Sequence, residues 1–410
     1  MRAGRVVTIV LAVLVAAGLG TLITKAVTNK AHQTVRQDAL QPFYIPPDPI
    51  PSTPGTVIRQ EPLGVSVEGG SGYRILYTST RPDDSPVAAS AMVFVPSKPS
   101  PAAGRPVVAW AHGTIGMGDA CAPSRSSDPL ASMSTWLTPM LQRGWVVVAT
   151  DYAGLGTPGQ ELYLVGQAEA RDVVSSVVAA RNMAETDAGT RWVVYGHSQG
   201  GHAALWTGHL AAGLAPELNL LGVAAAAPAA NLTDIMSAQY AGRVGWVIGP
   251  EVVQAWRSLD PTLPVDGVVS PSAIDATPDI ADECIVQAAL ESILRERFQG
   301  EYFATDPLTN PAWAAATAAQ VPSPLPASMP TLMVQSTADT VVLAWPNAAL
   351  QQQWCAAGSD LSAIWLGHVG HNDTGLAAGP AVVTWATERF DGTSTQRNCA
   401  VPAPIASTPG

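Results

Sequence analysis

The chain has little charge and few aromatics: 13% of its 410 residues are Asp, Glu, Lys or Arg, and 6% are Phe, Trp or Tyr. It has no basic excess either. With 21 Lys and Arg against 32 Asp and Glu, a net charge of -11 and a pI near 5.0, no basic patch survives to hold a nucleic acid. No run of like charges and no internal repeat is found. Low charge combined with much Ala, Gly and Pro suits a compact secreted protein better than a disordered one.

Cysteine is scarce as well. Cys121, Cys284, Cys355 and Cys399 are far apart and form no C-x-x-C pair, which removes the usual zinc and dithiol patterns and leaves no metal or organic cofactor implied. An even number suits two disulfides made in an oxidising compartment, with four buried thiols as the alternative. Of the three pairings open to four cysteines, Cys121 with Cys284 and Cys355 with Cys399 is favoured, because the second bond pins the C-terminal tail. None lies near the amino terminus, so a lipid-modified start is unsupported.

One long apolar run is present, from Val6 to Ile23 behind Arg2 and Arg5, and it has the layout of a secretory signal. Thr24-Lys25-Ala26 offers a passable cleavage site, and the length is at the lower limit for crossing a bilayer. Residues 1–26 are therefore expected to be a signal peptide or an N-terminal anchor. The protein is then secreted, or held at the outer face of the membrane.

From 27 to 60 prolines crowd the chain, Pro42, Pro46, Pro47, Pro49, Pro51 and Pro54 among them, and a linker or arm without regular structure is expected. A β-rich pair follows, Tyr73–Thr78 and Val87–Val95, with the spacing of an antiparallel hairpin. After that, apolar strands alternate with helices. Strands are expected at Pro106–Ala111, Trp145–Thr150, Trp192–Tyr195 and Leu218–Ala227, and helices at Asp128–Arg143, Glu169–Met183 and Gly200–Ala212. Strands that are apolar on both faces imply a mostly parallel, doubly wound α/β sheet over 61–228.

The alternation stops between 229 and 322, where an interrupted helical texture reads as an inserted cap or as a second small helical domain. It resumes over 323–400, with strands at Thr331–Gln335 and Ala363–Leu366 and helices at Asn347–Cys355 and Pro380–Phe390. The last ten residues, 401–410, read as a loose tail.

The chemistry centres on Tyr195-Gly196-His197-Ser198-Gln199-Gly200-Gly201, which lies between an apolar strand and a helix. G-x-S-x-G alone is a weak signal in a glycine-rich chain, so its surroundings must decide. A serine held on a sharp strand-to-helix turn is exposed, and the free N–H groups of the helix start face the charge that its attack creates. Asp339 and His371 also follow apolar strands, so the order is nucleophile, acid, base, and a parallel sheet brings such strand ends to one edge.

His368 rivals His371 as the base, and Asp306, Asp360 and Asp373 rival Asp339 as the acid, but none of these aspartates has its strand-end position. The oxyanion donors expected are the amides of Gln199 and Thr114, with Gly113 allowing close approach.

These residues carry a resemblance. His112-Gly113-Thr114, Asp151-Tyr152-Ala153-Gly154-Leu155-Gly156, the Gly196–Gly201 elbow, Asp339, His371 and the insertion before the late strands are together similar to the α/β-hydrolase superfamily. Within it the chain resembles the secretory lipases, a family that includes fungal lipase A types and actinobacterial exported lipases. The resemblance covers roughly residues 60 to 400. It implies the α/β-hydrolase fold, a helical cap over the site, secretion, and hydrolysis of carboxylic esters including triacylglycerols.

A secreted serine ester hydrolase acting through Ser198, Asp339 and His371 is therefore expected, most simply a triacylglycerol lipase. A small-ester esterase, an exported acyltransferase or peptidase, and a non-catalytic binding protein on this fold are the alternatives. The partners implied are an ester or acylglycerol and a lipid surface touched through the cap, with no obligate protein partner evident.

Overall fold

The computed structural model describes residues 34–394 and 397–409, so the segment 1–26, expected to be a signal peptide or an anchor, lies outside the described residues. The described chain divides after Ile45 into two separate units, the first represented by residues 34–45. In the first, a helix (α1) covers 34–44.

The second unit is built on a nine-stranded sheet. Its strands are β1 (Val57–Pro62), β2 (Gly70–Thr80), β3 (Pro86–Pro96), β4 (Arg105–Ala111), β5 (Val146–Ala153), β6 (Ala188–His197), β7 (Asn219–Ala226), β8 (Thr331–Ser336) and β9 (Leu361–Leu366). They lie in the order β1-β2-β3-β5-β4-β6-β7-β8-β9. The first three run antiparallel to their neighbours, and β4 to β9 are mutually parallel.

Alternation along the strands divides the core in two. Val107, Ala109, Val194 and Val148 face one layer, which contains α3 (Gly166–Asn182), α4 (Gln199–Leu214) and α11 (Ala344–Ala356). Val108, Trp110, Tyr195 and Val147 face the other, under α2 (Leu137–Gln142) and α12 (His371–Asp391). Burial on both faces explains why the central strands read as unbroken apolar runs.

Between β7 and β8 come six helices: α5 (Leu232–Gln239), α6 (Arg243–Leu259), α7 (Pro271–Ile274), α8 (Thr277–Ala281), α9 (Ile285–Gln299) and α10 (Pro311–Ala319). They enclose an aromatic core in which Trp256 stacks on Trp313 at 6.0 Å and Trp246 meets Tyr302 edge-on at 5.3 Å. Leu162–Val165 and Met117 from the sheet side join the same cluster. Cys121 is bonded to Cys284 and Cys355 to Cys399, so one bridge ties the start of α9 to the loop after β4 and the other ties the tail to α11. Among the described residues no helix is long and apolar enough to cross a membrane.

Four local expectations are corrected. The arm expected over 27–60 contains α1, and β1 already starts at Val57; prolines dense enough to prevent a helix begin only at Pro46. The helix expected over 128–143 shrinks to α2, preceded by 3-10 turns at Pro123–Arg125 and Ala131–Met133. The closing helix starts at His371 instead of Pro380. Pro380 has no N–H for the carbonyl of Leu376, and the Thr135 hydroxyl donates to that oxygen instead at 2.7 Å. The tail is also held, because Gln351 donates to the Val401 carbonyl at 2.9 Å and Ser407 to Gln352 at 2.9 Å.

Candidate active site

Ser198 separates β6 from α4 with φ 56°, the left-handed region, and its N–H donates to the Ala226 carbonyl of β7 at 2.9 Å. Such a backbone is strained for a residue with a Cβ and persists only where the surroundings enforce it. Two glycines make the turn possible. A Cβ on Gly196 would lie 1.9 Å from the Gly200 carbonyl oxygen, and one on Gly200 would lie 1.9 Å from that of Ala111.

The other two side chains arrive from the same edge of the sheet. His371 is the first residue of α12, five residues beyond the end of β9, and Asp339 lies in the turn after β8. His371 Nε2 is 2.8 Å from Ser198 Oγ, and its Nδ1 is 2.7 Å from Asp339 Oδ2. A carboxylate accepts, so Nδ1 carries the proton and Nε2 is left to accept from the hydroxyl. Asp339 is held in turn by the Val341 and Val342 amides, at 2.9 and 3.0 Å on Oδ1. All three side chains are buried.

The rivals are not at this point. His368 is exposed, Asp373 is exposed on the first turn of α12, Asp306 accepts from Ser237 and the Leu308 amide in the insertion, and the Asp360 carbonyl pairs with the Thr331 amide at the start of β8.

Gly113 and Thr114 follow β4 and face the turn, so that a Cβ on Gly113 would stand 3.3 Å from that of Ser198. The Thr114 hydroxyl is 2.7 Å from that of Tyr163, which fixes the side chain. Among the described residues the backbone N–H groups of Thr114 and Gln199 make no hydrogen bond, so both are available.

Behind Gln199 lies a buried polar cluster that no sequence pattern announced. Its side-chain amide donates to Glu161 and to Glu169, each at 3.1 Å, and Glu169 also meets His202 Nδ1 at 2.8 Å. Burial pushes the Glu161 carboxyl up to about 8, with the Gln199 hydrogen bond opposing. Among the described residues no three His, Cys, Asp or Glu side chains are grouped so as to hold a metal ion.

The serine opens onto a cavity of about 420 Å³. Thr114, Ser198 and His371 line it, together with Tyr163, Val342 and many apolar residues of the insertion, including Ile248, Val252, Trp256 and Ile293. That volume lies in the range of small-molecule sites.

The family model of the secretory lipases matches residues 130–398. The chain belongs to the secretory lipase family. The match includes Ser198, Asp339 and His371, whereas Gly113 and Thr114 lie upstream of it. Among curated secretory lipases and their kin, lipase A of Arthroderma benhamiae is 23% identical over 87% of this chain and 81% of its own length. A probable inactive lipase of Mycobacterium tuberculosis is 24% identical over 86% of this chain and 82% of its own. The crystal structure of Candida antarctica lipase A in its closed state superposes with a TM-score of 0.70 at 19% identity, covering 90% of each chain. The fold is thus the α/β-hydrolase fold, and the protein is an ester hydrolase of the lipase and esterase kind.

Proposed function

We propose that this secretory lipase acts outside the cell and cleaves carboxylic esters through an acyl-enzyme on Ser198. The observation that carries the reading is the hydrogen-bonded chain from Ser198 through His371 to Asp339, at 2.8 and 2.7 Å, beside an apolar cavity. His371 takes the proton of Ser198 as the hydroxyl attacks the ester carbonyl and then gives it to the leaving alkoxide. Asp339 holds the tautomer and offsets the charge of the imidazolium. Water repeats the sequence on the acyl-enzyme. The Gln199 and Thr114 amides receive the negative oxygen in both halves, with Gly113 leaving room for it.

The substrate is proposed to be an acylglycerol. The cavity wall suits an acyl chain, and α9, which supplies Ile285, Ala289 and Ile293 to that wall, leaves Val286, Leu290, Leu294 and Phe298 exposed at 61 to 80%. Apolar residues repeated every four positions form one stripe on a helix. A stripe that is exposed next to the cavity favours contact with a lipid surface over a purely dissolved ester.

The test is a series of p-nitrophenyl esters from acetate to palmitate, run with the native protein and with Ser198→Ala. Turnover should rise beyond butyrate and fall by about 10³-fold or more in the variant. Equal turnover by the two proteins would remove Ser198 from the chemistry. A sharp preference for acetate would replace the lipase reading by an esterase.

A further inference from the structure

His197 and Tyr195 lie one and three residues before Ser198, so the alternation of β6 sends both side chains to the sheet face covered by α12. Both grip that helix. His197 Nε2 is 2.9 Å from the main-chain oxygen of His371, and the Tyr195 hydroxyl donates to the carbonyl of Gly375. A carbonyl only accepts, so His197 carries its proton on Nε2 and donates it.

The fit leaves no slack. A Cβ on residue 375 would stand 3.0 Å from the His197 ring, closer than ordinary packing allows, which accounts for a glycine inside the first turns of α12. His371 opens the helix behind Gly370, which has no side chain to close the end. The strand that carries the nucleophile therefore supplies the clamp on the helix that carries the base.

We propose that His197 is a positioning residue, whose Nε2–H holds the His371 carbonyl and thereby sets the imidazole at hydrogen-bonding distance from Ser198 Oγ. This rests on the acyl-enzyme reading above. Its charge state suits the task. Burial, reinforced by the neighbouring His371, brings the His197 imidazole down to about 3, with its hydrogen bond to the His371 main chain and then Asp339 opposing. A neutral His197 adds no second positive charge beside the imidazolium, whose ring centre is 5.0 Å away. A displacement of about 1 Å at a reacting group costs up to roughly a hundredfold in rate, so a clamp of this kind acts on kcat.

The experiment compares His197→Gln with His197→Met on p-nitrophenyl butyrate, with Ser198→Ala run beside them and thermal unfolding recorded for each. Gln and Met are alike in length and volume, but only Gln keeps an N–H donor at the position of Nε2. The Met variant should lose about tenfold or more in kcat with KM nearly unchanged, while Gln keeps kcat within about threefold of the native protein. A folded Met variant with native kcat, or a Gln variant that falls as far as Met, overturns the inference. Should Met fail to fold, the Gln variant decides alone: near-native kcat supports the clamp and a tenfold loss refutes it. Turnover retained by Ser198→Ala would instead overturn the nucleophile reading, so the two failures are distinct.

Discussion

The three residues of the hydrogen-bonded chain differ in what their loss should do. Asp339→Asn keeps the shape of the side chain but gives the imidazole a donor where it needs an acceptor, and so favours the tautomer that cannot take the Ser198 proton. We expect kcat to fall by about 10³- to 10⁴-fold with KM little changed, read on any soluble ester. A loss of less than tenfold would show that the turn after β8 serves only structure. Ser198, Asp339 and His371 were legible in the sequence because each follows an apolar strand, and strand ends of a parallel sheet meet at one edge. His197, Glu161 and Glu169 were not. Their roles depend on which helix packs over which strand, and no spacing along the chain encodes a bond between residues 174 positions apart, such as that from His197 to the His371 carbonyl.

At the scale of elements, α9 and α12 show how helices were misread or left open. Gly375, Gly379 and Pro380 look like breakers, yet the glycines allow close approach to His197 and Trp136, and Thr135 satisfies the carbonyl that Pro380 leaves without an N–H. Local propensity yielded there to tertiary contacts. The strands fared better, since burial on both faces leaves a continuous apolar signature, and the hairpin of β2 and β3 kept its predicted place.

For α9 the sequence announced a helical texture but not which face would remain uncovered. Replacing Leu290 and Phe298, exposed at 64 and 80% and away from the cavity, by Asp should lower turnover of an emulsified triacylglycerol at least about tenfold more than turnover of dissolved p-nitrophenyl butyrate. Equal losses on both substrates, or none on the emulsion, would separate α9 from the lipid surface.

For the whole molecule, the buried carboxylates predict how stability responds to pH. Burial raises Glu161 from 4.5 to about 8 and Asp172 from 3.8 to about 6. The folded state therefore binds more protons than the unfolded chain across that window, so their contribution is complete below pH 4 and is lost as pH rises through 6 and 8. Thermal midpoints should fall from pH 5 to pH 9, and Glu161→Gln should flatten the upper part of that decline. An unchanged slope in the variant would mean that Glu161 ionises freely in the fold. The central claim concerns a single covalent bond, and it is tested most directly by reacting the native protein with diethyl p-nitrophenyl phosphate and mapping the adduct by peptide mass spectrometry. One diethylphosphoryl group per chain on Ser198, with ester turnover lost in proportion, is the result predicted here. Full inactivation with Ser198 unmodified, or turnover that survives complete labelling of Ser198, would contradict it.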